Sequence, residues 1–514
     1  MAPMNSQADS AGDSLAAPAL VIARFGLFFG PLMAVAAWLA LRFASHLEPA
    51  AQATAAVGVL MAVWWMTEAI PLAATSLLPL VLFPLLGATK DIKAAAAPYA
   101  DESIFLYLGG FLLALAVEKW GLHRRLALGT LVAFGTRPAM LVGGVMLATA
   151  LVSMWISNTA TTLMMLPIGL SVIHLLTDKF AAQDSAPERQ RDAAQLAAAI
   201  LLGIAYAASI GGMTTLIGTP PNAVFKGFME ERGIPIGFGR WMLLACPVGF
   251  VYLLLAWLVM TRFLFPLKSA EIPGGRALLR KELASLGPLS RGEWIVLGVF
   301  AAAIVMWVSL EPLYQFGWLQ TGPKKEKWLS DAVIAMAAAM ILFVIPVEWK
   351  TGRFVLDWQT ASRVPWGVLL LFGGGLSLAR AMTDTKLDVW IGQQVEGLGY
   401  LPLPVLVVVV VTGVVLFSEL ASNLATATTL LPVMFAAAQQ LQLDPLALCV
   451  PVILAASCGF MLPVATPPNA IVFGTGHITM RQMMRAGLWL DLIGIVLIPL
   501  ATLTLGRLVL GIAR

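Results

Sequence analysis

Apolar stretches of about 17 to 25 residues, the length that crosses a hydrocarbon core of roughly 30 Å, recur from residue 25 to residue 511 of this 514-residue chain. Such a chain has lipid as its solvent, and in lipid every backbone N–H and C=O must be paired within the protein. Long continuous apolar runs, as opposed to short alternating ones, meet that demand as α-helices. The composition, 59% hydrophobic and 12% charged, stands far from the roughly 45–50% apolar and about 25% charged residues of soluble domains. A soluble enzyme with one anchor is excluded, because the runs fill the whole sequence. The net charge of +4 comes from cations scattered singly through loops, which report membrane topology and imply no nucleic-acid partner. Cys246, Cys449 and Cys458 lie far apart without histidines at ligand spacing, so they read as small packing residues.

The apolar segments fall near 25–44, 52–70, 72–88, 104–121, 139–175, 193–230, 242–266, 292–312, 330–347, 364–395, 404–439, 445–476 and 484–511. Two are too long for one crossing and carry polar residues at mid-length, so they are expected to be re-entrant hairpins with tips at 157–159 and 422–424. Two more are broken by Pro220-Pro221 and Pro467-Pro468, which remove backbone donors, placing breaks at 218–222 and 465–469. The expected fold is an all-α polytopic membrane protein of about eleven spans. Residues 1–23, polar and lacking the features of a signal peptide, form a disordered cytoplasmic tail in this reading. With the N-terminus cytoplasmic, Arg124, Arg125, Arg137, Arg280, Lys281 and Arg485 fall in cytoplasmic loops, as the positive-inside rule asks. Lys324, Lys325 and Lys327 fall outside, against it.

An internal repeat organises these features. SNTATTLMMLPI at 157–168 aligns with SNLATATTLLPV at 422–433, GTPPNAVF at 218–225 with ATPPNAIVF at 465–473, and LGGFLLALA at 108–116 with FGGGLSLAR at 372–380. Recurrence in one order makes two homologous halves, 24–266 and 292–514, joined by a cytoplasmic linker at 267–291. An odd number of spans separates corresponding elements, so the halves insert with opposite orientation. Irregular backbone at membrane depth is tolerated only inside protein or beside a wet cavity, and paired broken helices in inverted repeats are the architecture of secondary transporters.

The residue types at the breaks suit an anion with cations beside it. Asn158 and Asn423 offer amide donors, Thr159, Thr219 and Thr466 hydroxyls, and the helices that start after each break present free N–H groups. Carbonyls freed at Gly218 and Ala465, with Ser153, Ser157 and Ser418, supply the hard oxygens an alkali cation takes. Glu68, Glu118, Glu419 and Asp491 lie in or beside spans, where ionisable groups are functional by default. For Glu419, beside the second tip, two roles stand: a proton or cation site, or an acceptor bonded to hairpin backbone. Trp64, Trp65, Trp155 and Trp318 read as packing or interface groups. No nucleophile with its base, metal cluster or phosphate loop points to an enzyme, and no repeated filter points to a channel.

With Trp64-Trp65-x-Thr67-Glu68-Ala69-Ile70-Pro71, the two S-N tips and the two T-P-P-N turns, the chain resembles the divalent anion:sodium symporters, the dicarboxylate transporters also called the INDY family, from about residue 24 to its end. The resemblance implies a homodimer in the inner membrane, each protomer divided into a scaffold and a transport domain that moves as an elevator. It implies sodium as coupling ion, at least two per substrate, with no organic cofactor. Carried over, the first sodium site takes Ser153, Ser157, Asn158 and Gly218, and the second Ser418, Ala421, Asn423 and Ala465. The substrate, a small dianion, contacts Asn158, Thr159, Thr219, Ser422, Asn423, Thr466 and Pro467. Leu424 departs from the family's second S-N-T, leaving succinate, malate and fumarate beside citrate and sulfate as substrates, and exchange beside symport.

Overall fold

The computed structural model describes residues 6–44, 47–135, 137–183, 187–266, 275–321, 326–394 and 401–512. The first half holds α1 (Ser6–Ala44), α2 (Pro49–Thr67), α3 (Leu72–Thr75), α4 (Leu78–Leu85), α5 (Ile92–Ala96), α6 (Glu102–Lys119), α7 (Leu122–Phe134), α8 (Pro138–Ser153), α9 (Asn158–Gln183), α10 (Pro187–Gly212), α11 (Pro220–Glu231) and α12 (Phe238–Leu258). After α13 (Gly275–Ser285), the second half holds α14 (Arg291–Gln315), α15 (Asp331–Val344), α16 (Trp358–Ala361), α17 (Trp366–Asp384), α18 (Leu387–Gln394), α19 (Leu403–Ser418), α20 (Asn423–Gln440), α21 (Pro445–Ala456), α22 (Pro467–Phe473), α23 (Met480–Ala501) and α24 (Arg507–Leu510). Two small antiparallel ribbons, β1 (Gln320–Thr321) with β2 (Glu326–Lys327) and β3 (Pro346–Glu348) with β4 (Arg353–Phe354), occupy loops.

Among the described residues, 7 helices are long and apolar enough to cross a membrane, or up to 8 if the bent pair Ile92–Ala100 and Glu102–Lys119 is one span. That is fewer than the eleven expected. The other apolar helices, among them α8, α15, α19 and α21, have only 10–17 residues; α8, α19 and α21 are cut short by the breaks that mark the candidate site.

Helix boundaries differ from expectation for local reasons. α1 begins at Ser6, so residues 6–23 of the expected tail continue the first membrane helix, while residues 1–5 lie outside the described residues. The expected linker carries α13 from Gly275; its residues 267–274 lie outside the described residues, as do Lys324 and Lys325. Neither proline pair ends a helix. α10 stops at Gly212 and α21 at Ala456, and Pro220-Pro221 and Pro467-Pro468 open α11 and α22. Proline fits the first helical turn, whose N–H groups lack helical partners. The interruptions therefore span 213–219 and 457–466, wholly ahead of the prolines. The turns between α8 and α9 and between α19 and α20 cover 154–157 and 419–422, so Asn158 and Asn423 are first helical residues and not turn residues. Ser422 caps α20, accepting from the Ala425 N–H at 3.3 Å.

Packing places the breaks at the centre. α10 lies along α8 and α9, and α21 along α19 and α20. Every residue of α21 from Leu446 to Ala456 is buried, as befits a helix apolar on all sides within a bundle. The short helices after the breaks cross over: α22 packs on α9 and α10, and α11 on α20 and α21. α1 lies at the periphery, with Phe28 77% and Phe43 82% exposed.

Candidate functional site

Each turn residue meets the end of the broken helix beside it through the same contacts in both halves. Ser153, the fully buried last residue of α8, lies with its Oγ 2.9 Å from Asn158 Oδ1 and 2.7 Å from the Ala208 carbonyl. Ser418, last in α19, repeats this at 3.2 Å to Asn423 Oδ1 and 2.9 Å to the Ala456 carbonyl. A serine hydroxyl has one proton, which cannot serve both oxygens fully. Each half thus gathers three oxygens with a surplus of lone pairs, the environment a desolvated hard cation satisfies.

The break segments close on the same points. A Cβ added to Gly218 would lie 2.9 Å from the Met154 carbonyl in the first turn, and one on Gly212 would collide with Asn158 Oδ1. In the second half, a Cβ on Gly459 would lie 3.1 Å from the Ala465 Cβ and 3.2 Å from the Ser418 carbonyl. Ser153, Asn158 and Gly218 therefore share one cluster, and Ser418, Asn423 and Ala465 another. Thr219 and Thr466 are the buried N-caps of α11 and α22, in the same extended conformation (φ −142°, ψ 142° and φ −143°, ψ 146°). The Thr466 side chain accepts from the Asn469 N–H at 3.4 Å, whereas Thr219 makes no such cap. Ser157 Oγ accepts from the Ala160 N–H at 3.4 Å, Ala421 is buried, and Pro467 is the first residue of α22. Thr159 is half-buried at the start of α9, and its counterpart Leu424 packs between the two hydrophobic cores. Four helices, α9, α11, α20 and α22, start at these clusters, and helix N-termini favour negative charge.

Two asparagines that the sequence reading left without a role hold the breaks open. Asn222 Nδ2 donates to the Thr215 and Met213 carbonyls at 2.7 and 3.1 Å, and Asn469 Nδ2 to the Gly459 and Leu462 carbonyls at 3.0 Å each. Both are fully buried. Their signal was the final N of the repeated T-P-P-N, whose amide carries two donors and can pair two released carbonyls at once. Glu419 is the acceptor anticipated as one of its two roles, but its partners lie across the break and not in its own hairpin. Its Oε1 takes the Phe460 and Met461 N–H groups at 2.6 and 2.9 Å, and Oε2 takes Leu462 N–H at 3.0 Å. Of the four tryptophans expected as packing or interface groups, Trp155 stacks on Phe238 and Trp65 is buried with Nε1 donating to Ser76 Oγ at 3.2 Å, whereas Trp318 is 79% exposed.

Gly212 offers a direct probe of the first cluster. Gly212→Ala should displace Asn158, overpacking of this kind costing about 1–3 kcal/mol, and lower the melting temperature of the detergent-solubilised protein. Gly459→Ala needs shifts of only a few tenths of an ångström and should act more weakly. Thermal melts compare the two, and equal effects would mean that Asn158 is not held against α10.

Residues 26–512 match the family model described as the sodium:sulfate symporter transmembrane region. The chain is 41% identical over 493 residues to a sodium-dependent dicarboxylate transporter, SdcS, of Staphylococcus saprophyticus, covering 95% of this chain and 92% of that one. It is 39% identical over 459 residues to the transporter of the same name from Staphylococcus aureus, covering 89% and 86%. Among solved structures, the Alcanivorax borkumensis YdaH transporter, described as having an unusual topology, shares the fold with a TM-score of 0.53 at 16% identity, over 88% of this chain and 98% of that one.

Proposed function

The chain belongs to the sodium:sulfate symporter family, the divalent anion:sodium symporters, and from that premise we propose that it carries C4 dicarboxylates across the inner membrane together with sodium. It is a multi-pass membrane transporter and not an enzyme. The observation that carries the proposal is the pair of matching oxygen clusters, Ser153 with Asn158 and Ser418 with Asn423, each set against a broken helix. The first sodium ion binds Ser153, Ser157, Asn158 and Gly218, and the second Ser418, Ala421, Asn423 and Ala465. The dicarboxylate lies between the clusters, its carboxylates on Asn158, Thr159, Thr219, Ser422, Asn423, Thr466 and Pro467, next to the helix N-termini. The names of the staphylococcal relatives support this choice of cargo.

Mechanism follows from charge. Moving a dianion into a cell held at about −100 mV costs roughly 4.6 kcal/mol, at about 2.3 kcal/mol per charge. Two sodium ions cancel that charge and a third lets the potential drive uptake, so at least two travel with each substrate. Sodium bound first turns the surplus of lone pairs into a positive site for the incoming carboxylate. The two halves insert as inverted repeats, the N-terminus lies in the cytoplasm, and the clusters move together as an elevator against a scaffold held in a homodimer.

The test is uptake of labelled succinate into proteoliposomes, with sodium or choline outside and with or without succinate inside. Accumulation that requires sodium in empty vesicles is the expected result. Uptake unchanged in choline would sink the sodium coupling, and uptake only against internal succinate would make the protein an exchanger. Competition by malate, fumarate, citrate and sulfate ranks the substrates, Leu424 having removed one hydroxyl donor from the second cluster.

A further inference from the structure

α11 and α22 are matching helices up to a point. Both open on Pro-Pro-Asn, but α22 ends at Phe473, whereas α11 continues through Lys226 to Glu231. Counted without a gap from the shared Pro-Pro-Asn, Lys226 stands where the second half has Phe473. The lysine is therefore no part of the duplicated binding architecture, and the extra turn of α11 does something that only one half requires.

That turn is charged and buried, a combination retained in a membrane protein for function more often than for stability. Lys226, 5% exposed, donates to Glu230 Oε1 at 2.5 Å on its own helix, to the Ile236 carbonyl at 3.0 Å, and to Asp331 Oδ2 at 3.2 Å. Asp331, 7% exposed, opens α15, and its Oδ2 also accepts from the Phe238 N–H at 3.2 Å. One turn on, the Arg232 guanidinium lies 3.6 Å from the Phe228 ring centroid and 4.9 Å from that of Phe435 on α20. Its Nη2 donates to the Ala379 carbonyl at 3.2 Å and to Thr383 Oγ1 at 3.0 Å, both on α17. Arg380 of α17 meets Glu231 at 3.5 Å.

These contacts join two groups of helices. On one side α11 packs on α20 and α21, which hold the second oxygen cluster. On the other, α15 packs on α6 and α14, and α17 on α2 and α3, and α11 meets this group by packing on α6 and α17 as well as through the polar contacts. We infer that Lys226–Asp331 and Arg232 with α17 form a two-point latch that clips the substrate-bearing helices to the surrounding frame, and that each transport cycle must release it. Both points are reversible polar contacts, set beside the packing of α11 on α6 and α17 that must part with them. This rests on the proposed movement of the clusters as one body.

The test places cysteines at both ends of the first point, Lys226→Cys with Asp331→Cys, in a chain whose Cys246, Cys449 and Cys458 are replaced by alanine. Removing both charges together leaves neither member of that pair buried alone, and Glu230, which loses Lys226 as well, keeps a side chain 26% exposed to solvent. Bridging the two with a short, reducible bifunctional thiol reagent should lower sodium-dependent succinate uptake at least about tenfold, reduction should restore it, and a monofunctional reagent should not reproduce the loss. Bridged protein that transports at the unbridged rate overturns the latch. Spin labels at the same two cysteines give a readout independent of transport: two separations whose proportions shift with sodium and succinate are expected, and one fixed separation overturns it. Sodium-dependent uptake by the unsubstituted chain, measured alongside, reports on the transport reading separately.

Discussion

Alanine in place of Asn158 should lower sodium-driven succinate uptake by about a hundredfold, and Asn423→Ala should do the same, with folding intact in both. Each side chain presents Oδ1 to the oxygen cluster beside a serine hydroxyl, and in the proposed site Nδ2 faces the carboxylate. An interaction with a charged partner contributes about 1.5–3 kcal/mol, and each 1.4 kcal/mol is tenfold, so losing a cation ligand and an anion donor together exceeds what one hydrogen bond would show. Aspartate separates the two functions. Asn158→Asp keeps the oxygen and adds charge, so sodium should still bind while the dianion is repelled. Sodium binding followed by calorimetry or by protection of the fold against heat, beside uptake, distinguishes the variants. Wild-type uptake by Asn158→Ala would remove the first cluster from the mechanism.

The helical membrane fold and the segments that meet at the candidate site could be read from the sequence because the constraints there are local and paired. A Ser-Asn step inside an apolar run has few physical uses, and its recurrence at 157 and 422 with T-P-P-N downstream of each leaves fewer. What the sequence did not reveal depends on contacts between distant segments. The stop of α10 at Gly212, ahead of the prolines, reflects carbonyls held by Asn222, and nothing in residues 213–219 alone fixes it. The span count failed for a related reason. Hydropathy counts apolar residues, but α8, α19 and α21 end where side chains take over the pairing of the backbone. The charged turn of α11 is visible in sequence only once the repeat is aligned and Lys226 falls opposite Phe473. Its partner Asp331 lies 105 residues away in sequence and carries no motif.

Glu419 marks where the halves differ most, and its substitution should have the largest effect on the protein as a whole. The aligned position in the first half is Met154, whose carbonyl accepts from the Thr215 hydroxyl. In the second half a carboxylate takes three successive N–H groups of the break, 460–462. Each buried N–H left without a partner costs about 1–3 kcal/mol, so losing all three approaches the whole stability of a typical protein, about 5–15 kcal/mol. Glu419→Ala should therefore fail to accumulate as monodisperse protein after detergent extraction. Glu419→Gln keeps one oxygen as acceptor but turns an N–H donor toward Leu462 or its neighbours. It should fold and lose uptake by about tenfold, with the sodium dependence displaced because Ser418 and Ala421 flank it. A Glu419→Ala protein that folds and transports normally would show that the second break keeps its shape without the carboxylate. A Glu419→Gln protein with unchanged stability and a lower Hill slope for sodium would instead assign the carboxylate to a cation.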